Sequence, residues 1–246
     1  AREYHHSTGA KFVDPVTELN KRAPAAPAVE SGVSSDIEVI VDDNNPIHGV
    51  TGCDRYVARA IHGFDPTNHT PNWMRRRLIR AGMRSISLAV DVTNYVMLDL
   101  GQPMHAYDLD KIEGPIVVRR AAEGEKLTTL DGKEHDLSVE DLLITDSPDG
   151  KRGSRILGIA GVMGGLYGEV TADTKNILLE AAHFDSVSIA RSARRHKIPS
   201  EASRRFERGV DTQLQPAAAQ MAAELLTKFG NGEPSEHPTD VNTTMY

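Results

Sequence analysis

The sequence predicts an α+β fold: a single compact module in which a small, barrel-like antiparallel sheet is flanked by helices. Two observations predict it. Between residues 115 and 159, short apolar segments alternate with the turn dipeptides Asp131-Gly132 and Asp149-Gly150, too closely for a doubly wound parallel sheet. The last quarter of the chain then carries three helical patterns in succession.

Composition and charge narrow the class of protein. Of the 246 residues, 39% are hydrophobic, which is enough for a sizeable core. A net charge of −7 excludes a uniformly basic nucleic-acid clamp, so any RNA contact requires a local patch. A single cysteine, Cys53, leaves no disulfide and no thiolate metal cage. The sequence contains no apolar run long enough to span a membrane, so we expect a cytoplasmic protein without membrane contact.

The chain is predicted to have three parts. Residues 1–35 contain small residues, Pro24 and Pro27, which interrupt any periodic pattern, and they predict a connector from a preceding domain. Residues 36–230 form the folded module, and residues 231–246 predict a linker to a following domain. Because the chain starts with Ala rather than Met, we expect a piece of a longer protein.

The first half of the module combines strands and helices. β-Branched segments predict two strands, and apolar residues on one side predict two helices that end at Gly82 and Gly101. Thr70 and Pro71 favour the start of the first helix. The predicted elements are strands over 37–41 and 54–64 and helices over 71–81 and 90–100.

The second half begins with short strands and ends with helices. Asp185 or Ser186 is a suitable N-cap for the first of three helices, and Ser200 for the second. Gly230 ends the third helix. We predict strands over 117–120, 126–130, 141–145, 155–160 and 176–184, and helices over 186–197, 201–209 and 215–230.

Four glycines within residues 158–165 would allow a ligand to approach the backbone closely. The segment lacks the Lys and Ser/Thr of a P-loop and does not open a helix as a dinucleotide-binding loop does. A tight sheet bend or a pocket wall therefore competes with a phosphate site, and both alternatives stay open. Backbone amides that face a cavity are compatible with either.

Single polar residues supply further candidates. The ten histidines show no metal-binding spacing, so we predict no metal site. His105 follows Gly101 and Pro103, which places it in a loop, where it either positions water or a polar substrate atom or serves the structure. Glu180 interrupts an apolar strand, where a buried carboxylate requires a partner. It is either half of an ion pair with a nearby arginine or a pocket carboxylate.

An arginine-rich stretch, residues 191–208, follows the strand that contains Glu180. It carries seven Lys and Arg residues within an acidic chain, a density that favours contact with phosphates. Solvated helix faces and ion pairs to Glu201 and Glu207 are the commoner outcome. The arginines considered for RNA contact are Arg194, Arg195, Arg204 and Arg205.

Four long motifs resemble one known family. They are DVTNYVMLDLGQPMHAYD (91–108), GIAGVMGG (158–165), ILLEAAHFD (177–185) and ARRHKIPSEASRRFERGVD (193–211). In order and spacing they resemble the central part of the bacterial phenylalanyl-tRNA synthetase β subunit, over about residues 37–230. The resemblance implies an α+β editing module, built around a barrel-like sheet, that hydrolyses tyrosine wrongly esterified to phenylalanine tRNA.

The resemblance also implies roles for single residues. Thr93, Asn94 and His105 would lie around the scissile ester and its water. Glu180 would bind the para-hydroxyl of the tyrosine ring. The slot for the ring would be walled by Ala160, Gly161, Gly164, Ser200 and Ala202. Separately from the resemblance, the positive charge of the arginine-rich stretch predicts contacts to tRNA from Arg194, Arg195, Arg204 and Arg205.

Three residues depart from the family pattern. The family more often has Glu where this chain has Asp99, Phe where it has Tyr107, and Thr where it has Ser200. We expect the first two to affect packing only. Ser200 keeps a hydroxyl and loses a methyl, so we expect a slightly looser slot.

The resemblance further implies partners, which are the synthetase α subunit, phenylalanine tRNA and the remainder of the β subunit. ATP and magnesium would act on the α subunit, and no cofactor is expected in this chain, which lacks the motifs of amino-acid activation. The alternative is a module that docks tRNA or the α subunit without catalysis. Retention of Thr93, Asn94, His105 and Glu180 favours the enzyme. A nucleotide-binding protein is a third interpretation, which the sequence after Gly165 does not favour.

Overall fold

Helices and strands are interspersed along the described residues, 2–26 and 36–244 of the computed structural model. The helices are α1 (Arg2–Thr8), α2 (Pro15–Asn20), α3 (Asn72–Arg80), α4 (Leu88–Leu100), α5 (Ser186–His196), α6 (Glu201–Phe206) and α7 (Gln215–Gly230). The strands are β1 (Val39–Asp42), β2 (Cys53–His62), β3 (Met104–Asp108), β4 (Ile116–Arg120), β5 (Lys126–Thr128), β6 (Glu134–Asp136), β7 (Leu142–Asp146), β8 (Arg155–Ile159), β9 (Met163–Gly164), β10 (Ile177–Phe184), β11 (Glu233–Pro234) and β12 (Thr239–Asn242). The predicted α+β class is confirmed.

Two larger sheets and one hairpin contain these strands. The first sheet has the order β1-β4-β7-β8-β9, in which β1 and β4 are parallel and the other neighbours antiparallel. The second sheet has the order β11-β2-β10-β3, with β12 also paired to β2, and is antiparallel throughout. Strands β5 and β6 form the hairpin around Asp131-Gly132.

The barrel-like closure predicted from the sequence is not found, since none of the sheets in the described residues closes on itself. The two larger sheets instead contribute apolar side chains to one common core. Tyr107 and Leu178 of the second sheet belong to the same buried cluster as Ile116 and Leu143 of the first. Short antiparallel strands with one apolar face fit either arrangement, so the sequence pattern could not distinguish stacked sheets from a closed one.

The second sheet separates two cores. Along β10, Leu178 and Ala182 face the core between the sheets, whereas Ile177 and Leu179 face a second core. This second core is completed by α3, α4 and α7, which lie on the opposite side of the sheet. Because side chains alternate along a strand, Glu180 lies on the same side as Leu178. None of the described helices combines the length and apolar character needed to cross a membrane.

Local signals set several of the predicted boundaries. The Asp185 carboxylate caps α5 by accepting from the backbone amide of Ser188, and the Ser200 hydroxyl caps α6 by accepting from that of Ser203. Gly101 ends α4 in the left-handed conformation, with φ at 86°. These predictions are confirmed because each depends on residues within one helical turn.

The two ends of the chain also contact the folded body. The side chain of Arg22 donates to that of Glu224 on α7 at 2.8 Å. Residues 27–35, the last part of the predicted connector, lie outside the described residues. Strands β11 and β12, which fall within the predicted linker 231–246, pair with β2. The division of the chain at residues 36 and 230 stays a prediction.

Asp91, fully buried near the start of α4, joins this helix to the segment that precedes it. Its carboxylate accepts hydrogen bonds from the hydroxyls of Thr70 and Ser85 and from the backbone amide of Ile86. Thr70 was expected to cap α3, but its hydroxyl is used here instead. Asp91 thus fixes both loops that flank α3.

Replacing Asp91 by Ala should destabilise the fold by roughly 2–4 kcal/mol, because three buried donors lose their acceptor. Chemical denaturation of the chain measures the change. The exposed Asp99, on the same helix, provides the control, and Asp99→Ala should stay within about 0.5 kcal/mol of the wild type. Equal stability of the two variants would show that the carboxylate does not hold the loops.

Candidate functional site

Glu180 lies in the middle of β10 and is only 7% exposed. It lies opposite Ala58 of β2 and opposite His105 of β3. The hydroxyls of Tyr56 and Tyr107 both donate to its Oε2 atom, each at 2.8 Å. Burial raises the pKa of Glu180, and the two hydrogen bonds partly oppose that effect. The carboxylate is therefore buried but partnered.

The partners of Glu180 decide between the alternatives that the sequence left open. Both hydrogen bonds come from tyrosines, and no arginine among the described residues pairs with this carboxylate. Both bonds also reach the same oxygen, so the Oε1 atom accepts no hydrogen bond from the described chain. The expectation that Tyr107 affects packing only was wrong, because its hydroxyl is one of the two donors.

His105 lies on β3 and not in the predicted loop. Gly101 does end α4, but three residues are enough to connect the helix to the strand, which begins at Met104. The His105 ring packs against the edge of Tyr107, with ring centroids 4.4 Å apart. Burial lowers the pKa of His105 to about 4, so its imidazole is neutral at pH 7. A neutral imidazole presents one nitrogen that accepts a hydrogen bond.

The glycine-rich segment forms a tight bend between β8 and β9. A Cβ atom on Gly164 would lie 2.7 Å from the Cε1 atom of His105, and one on Gly158 would lie 3.1 Å from the Cα atom of Gly164. Gly161 has a positive φ of 65°, and its Cβ would lie 2.9 Å from the Phe206 ring. A side chain at residue 161 or 164 would overlap a neighbouring ring, and one at residue 158 would crowd the backbone, so the segment is a sheet bend that also forms a wall beside His105.

Six of the predicted site residues line one small cavity. Its volume is about 70 Å³, several times the roughly 10–15 Å³ that one water requires. The predicted residues that line it are His105, Ala160, Gly161, Gly164, Glu180 and Ala202. The cavity thus combines a glycine wall, a neutral imidazole and a buried carboxylate.

The sequence analysis did not assign Tyr107 and Phe206 to this cavity, although both line it. Periodicity contains a signal for each of them. Tyr107 follows His105 by two residues on one strand, and Phe206 follows Ala202 by four residues on one helix, so each pair shares a face. Other lining residues include Pro103, Met104, Ile144 and Met163.

Three predicted residues lie outside the cavity lining. The Thr93 hydroxyl donates to the carbonyl oxygen of Val90 within α4, at 2.8 Å, and Asn94 is half-buried on the same helix. The Ser200 side chain is used to cap α6. Their roles at the ester and in the ring slot stay predictions.

The arginines considered for tRNA contact all have carboxylate partners within the chain. Arg194 pairs with Glu207 at 3.8 Å, and Arg195 pairs with Glu140 and Asp141. On α6, Arg204 and Arg205 both pair with Glu201, at 3.2 and 2.8 Å. Internal ion pairs therefore occur at all four positions, and their contact with tRNA stays a prediction.

Comparison with known proteins identifies the family that combines this fold and site. Residues 52–231 match the B3/4 domain family, and this match covers well over half of the chain. The chain therefore belongs to the B3/4 domain family.

Two curated relatives are phenylalanine–tRNA ligase beta subunits. The chain is 82% identical to that of Bifidobacterium longum over 244 residues, which are 99% of this chain and 28% of the relative. It is 52% identical to that of Leifsonia xyli over 232 residues, 94% of this chain and 26% of the relative. The resemblance stated from the motifs is confirmed, and the chain spans little more than a quarter of these relatives.

One solved structure also matches, an N-terminal fragment of the phenylalanyl-tRNA synthetase beta subunit from Pyrococcus horikoshii. The match has a TM-score of 0.41 and 18% sequence identity, and it covers 72% of this chain and 54% of that chain. We rest no conclusion on this likeness.

Replacing Glu180 by Gln should leave the fold at least as stable as the wild type at pH 7.5. Burial raises the pKa of Glu180 in the folded state above its ordinary value of 4.5. The wild type therefore loses stability as the pH rises from 4.5 to the raised pKa of the folded state. Gln keeps an acceptor for the two tyrosine hydroxyls and does not ionise. Its advantage should therefore disappear below about pH 4.5, as measured by thermal melting across pH 4–8.

The exposed Glu123 provides the matched control, and Glu123→Gln should show no comparable dependence on pH. A Glu180→Gln variant that melts well below the wild type at pH 7.5 would show instead that the ionised carboxylate stabilises the fold.

Proposed function

We propose that this chain is the part of a phenylalanine–tRNA ligase β subunit that hydrolyses tyrosine wrongly esterified to phenylalanine tRNA. The observation that carries the proposal is the cavity lined by both the buried carboxylate of Glu180 and the neutral imidazole of His105, which are neighbours on the paired strands β10 and β3. Membership of the B3/4 domain family and the similarity to these β subunits support it.

The carboxylate supplies the specificity that this reaction needs. A pocket made for a phenyl ring rejects a ring with an added hydroxyl only about 10²-fold, so a second site has to recognise the hydroxyl itself. In this cavity, Tyr56 and Tyr107 hold one oxygen of Glu180 and leave Oε1 to accept a hydrogen bond. Phenylalanine would leave that buried oxygen unpaired, which disfavours its ester.

The imidazole supplies a second polar group in the same cavity. With a pKa of about 4, His105 is neutral at pH 7 and accepts a hydrogen bond from the attacking water. So low a pKa makes it a weak base, and we therefore propose that it positions the water rather than removing a full proton. The tight bend at Gly164 holds the ring in place. We assign Thr93 and Asn94 to the ester end and Ser200 to the slot, on the basis of the motif resemblance.

The wider setting belongs to the same proposal, because the chain spans little more than a quarter of its curated relatives. The proposed partners are the α subunit, the remainder of the β subunit and phenylalanine tRNA. Amino-acid activation with ATP and magnesium would occur on the α subunit. The proposed location is the cytoplasm.

The proposal is tested by presenting the full-length ligase with tyrosyl-tRNA and phenylalanyl-tRNA and following loss of the ester. We expect tyrosyl ester to be lost faster. Equal and slow loss of both esters, with tRNA still bound, would favour the alternative in which the module only docks tRNA or the α subunit.

Replacing Glu180 by Gln or Ala should remove roughly 1.5–3 kcal/mol of selectivity for tyrosine, the usual contribution of a hydrogen bond to a charged group. The ratio of hydrolysis rates for tyrosyl and phenylalanyl esters measures it. Tyr107→Phe keeps both the ring and the carboxylate, so it should retain most of the selectivity. Unchanged selectivity in the folded Glu180→Gln enzyme would remove this residue from recognition.

Replacing His105 by Ala should slow hydrolysis of tyrosyl-tRNA by roughly 10²-fold, the usual cost of losing a positioning group, while binding of free tyrosine changes little. The reason is that the motif resemblance assigns His105 to the ester and its water and Glu180 to the ring hydroxyl. Thr93→Val and Asn94→Ala should give milder losses. The exposed His62 offers the control, since His62→Ala should be silent. Wild-type rates for His105→Ala at saturating tRNA would exclude its role.

A further inference from the structure

Helix α3, which packs on the second core, lies in a segment with several arginines and no acidic residue. Residues 66–90 contain five arginines and neither Asp nor Glu, in a chain whose net charge is −7. Four of these arginines and Trp73 are exposed on α3 or just after its end, and we call them together the α3 basic face. Its members are Trp73, Arg75, Arg76, Arg80 and Arg84.

The geometry of α3 places this face toward solvent. Met74 and Leu78, one turn apart, are fully buried in the second core. Arg76 and Arg80, also one turn apart, lie on the opposite side of the helix and are exposed. Trp73 precedes Arg76 by three residues and is 40% exposed, so an aromatic ring and two guanidinium groups follow one stripe.

Within residues 2–26 and 36–244, the four arginines of the α3 basic face have no carboxylate partner. Arg75, Arg76, Arg80 and Arg84 make no ion pair and no side-chain hydrogen bond to any residue that the structure describes. By contrast, Arg77 donates to the Tyr95 hydroxyl at 2.6 Å and lies over the Trp73 ring. Arg77 and Tyr95 therefore fix the tryptophan, while the four unpaired guanidinium groups remain available for a ligand.

A polar pocket adjoins the face at the beginning of α3. It is lined by Arg75, Asn68, His69, Ser85 and Ser87, among others, and no carboxylate lines it. The Nδ2 atom of Asn68 is buried without a hydrogen-bond partner in the described part of the chain. Asp91 lies next to this pocket, but it already accepts three hydrogen bonds from Thr70, Ser85 and Ile86. The donors of the pocket thus suit an anion.

We propose that the α3 basic face binds the phosphodiester backbone of RNA. Arginine forks match phosphate oxygens, and an exposed tryptophan provides a surface on which a base stacks. A membrane is disfavoured because Met74 and Leu78, the apolar stripe of α3, are buried in the second core, whereas an interfacial helix inserts its apolar stripe into the lipid. RNA as the partner rests on the proposed function, whereas the location of the contact is a new inference.

The face is remote from the candidate cavity within the fold. The cavity lies on the side of the second sheet that faces the core between the sheets, and α3 lies on the other side. An RNA that binds α3 therefore contacts the protein through a part other than the esterified end. Loss of this contact should weaken binding without altering the chemistry.

The test measures binding of fluorescently labelled phenylalanine tRNA to the full-length ligase at several salt concentrations. Arg76→Gln combined with Arg80→Gln should weaken binding about tenfold near 50 mM salt, and the slope of log affinity against log salt should become shallower by roughly 1.4–1.8. The corresponding double Lys variant should recover most of the affinity. Hydrolysis of a small tyrosyl ester should stay at the wild-type rate.

Two further double substitutions complete the experiment. Lys151→Gln with Arg152→Gln removes the same charge from an exposed turn between β7 and β8 and should leave affinity unchanged. Equal weakening by this pair would indicate a general effect of charge and overturn the proposal. Weakening by Arg204→Gln with Arg205→Gln, and none by the α3 pair, would also overturn it, in favour of the arginine-rich stretch.

A final outcome shows whether the α3 basic face contacts RNA or another protein subunit. If the α3 pair releases the partner subunit, while the assembled enzyme keeps its affinity for tRNA, the face contacts protein and the proposal is wrong. Failure of ester hydrolysis in the wild type would refute the proposed function but not this contact, because the binding measurement does not depend on hydrolysis.

Discussion

The structure at the centre of this molecule depends on hydrogen-bond partners for one buried carboxylate, that of Glu180. Glu180 lies in β10, which pairs with β2 on one side and β3 on the other. An unpartnered carboxylate at this depth would cost several kcal/mol, and the two neighbouring strands each supply one tyrosine hydroxyl to it. Both hydroxyls reach one oxygen. The arrangement therefore satisfies the carboxylate enough to bury it and leaves its other oxygen available to a ligand.

The two sides of the second sheet differ: one lines the cavity and the other packs on helices. One side carries Glu180 and His105 and meets the glycine bend of the first sheet. The other side packs on α3, α4 and α7 through apolar residues such as Leu179. Since side chains alternate along β10, moving its register by one residue would exchange the two sides and remove the carboxylate from the cavity. Strand register thus determines which side chains line the cavity, and it places the cavity and the α3 basic face on opposite sides of the sheet.

Close contact between β3 and the bend at β8 and β9 forms one side of the cavity. The His105 ring lies where a side chain on residue 164 would be, and the Phe206 ring lies where one on residue 161 would be. Groups held by packing on strands are positioned more precisely than groups on loops. His105 on a strand is therefore better suited to orient a water molecule than the loop histidine expected from Gly101 and Pro103.

Features that depend on near neighbours in the chain were predictable from the amino-acid sequence. Helix caps at Asp185 and Ser200, the end of α4 at Gly101 and the oddity of a carboxylate within an apolar strand were all readable, because each signal lies within a few residues. The hydrogen-bond partners of Glu180, in contrast, become known only from the tertiary structure. Tyr56 and Tyr107 lie 124 and 73 residues from Glu180 in the chain, and only strand register brings them together. Sheet stacking in place of a barrel depends on the same long-range packing, which local periodicity does not encode.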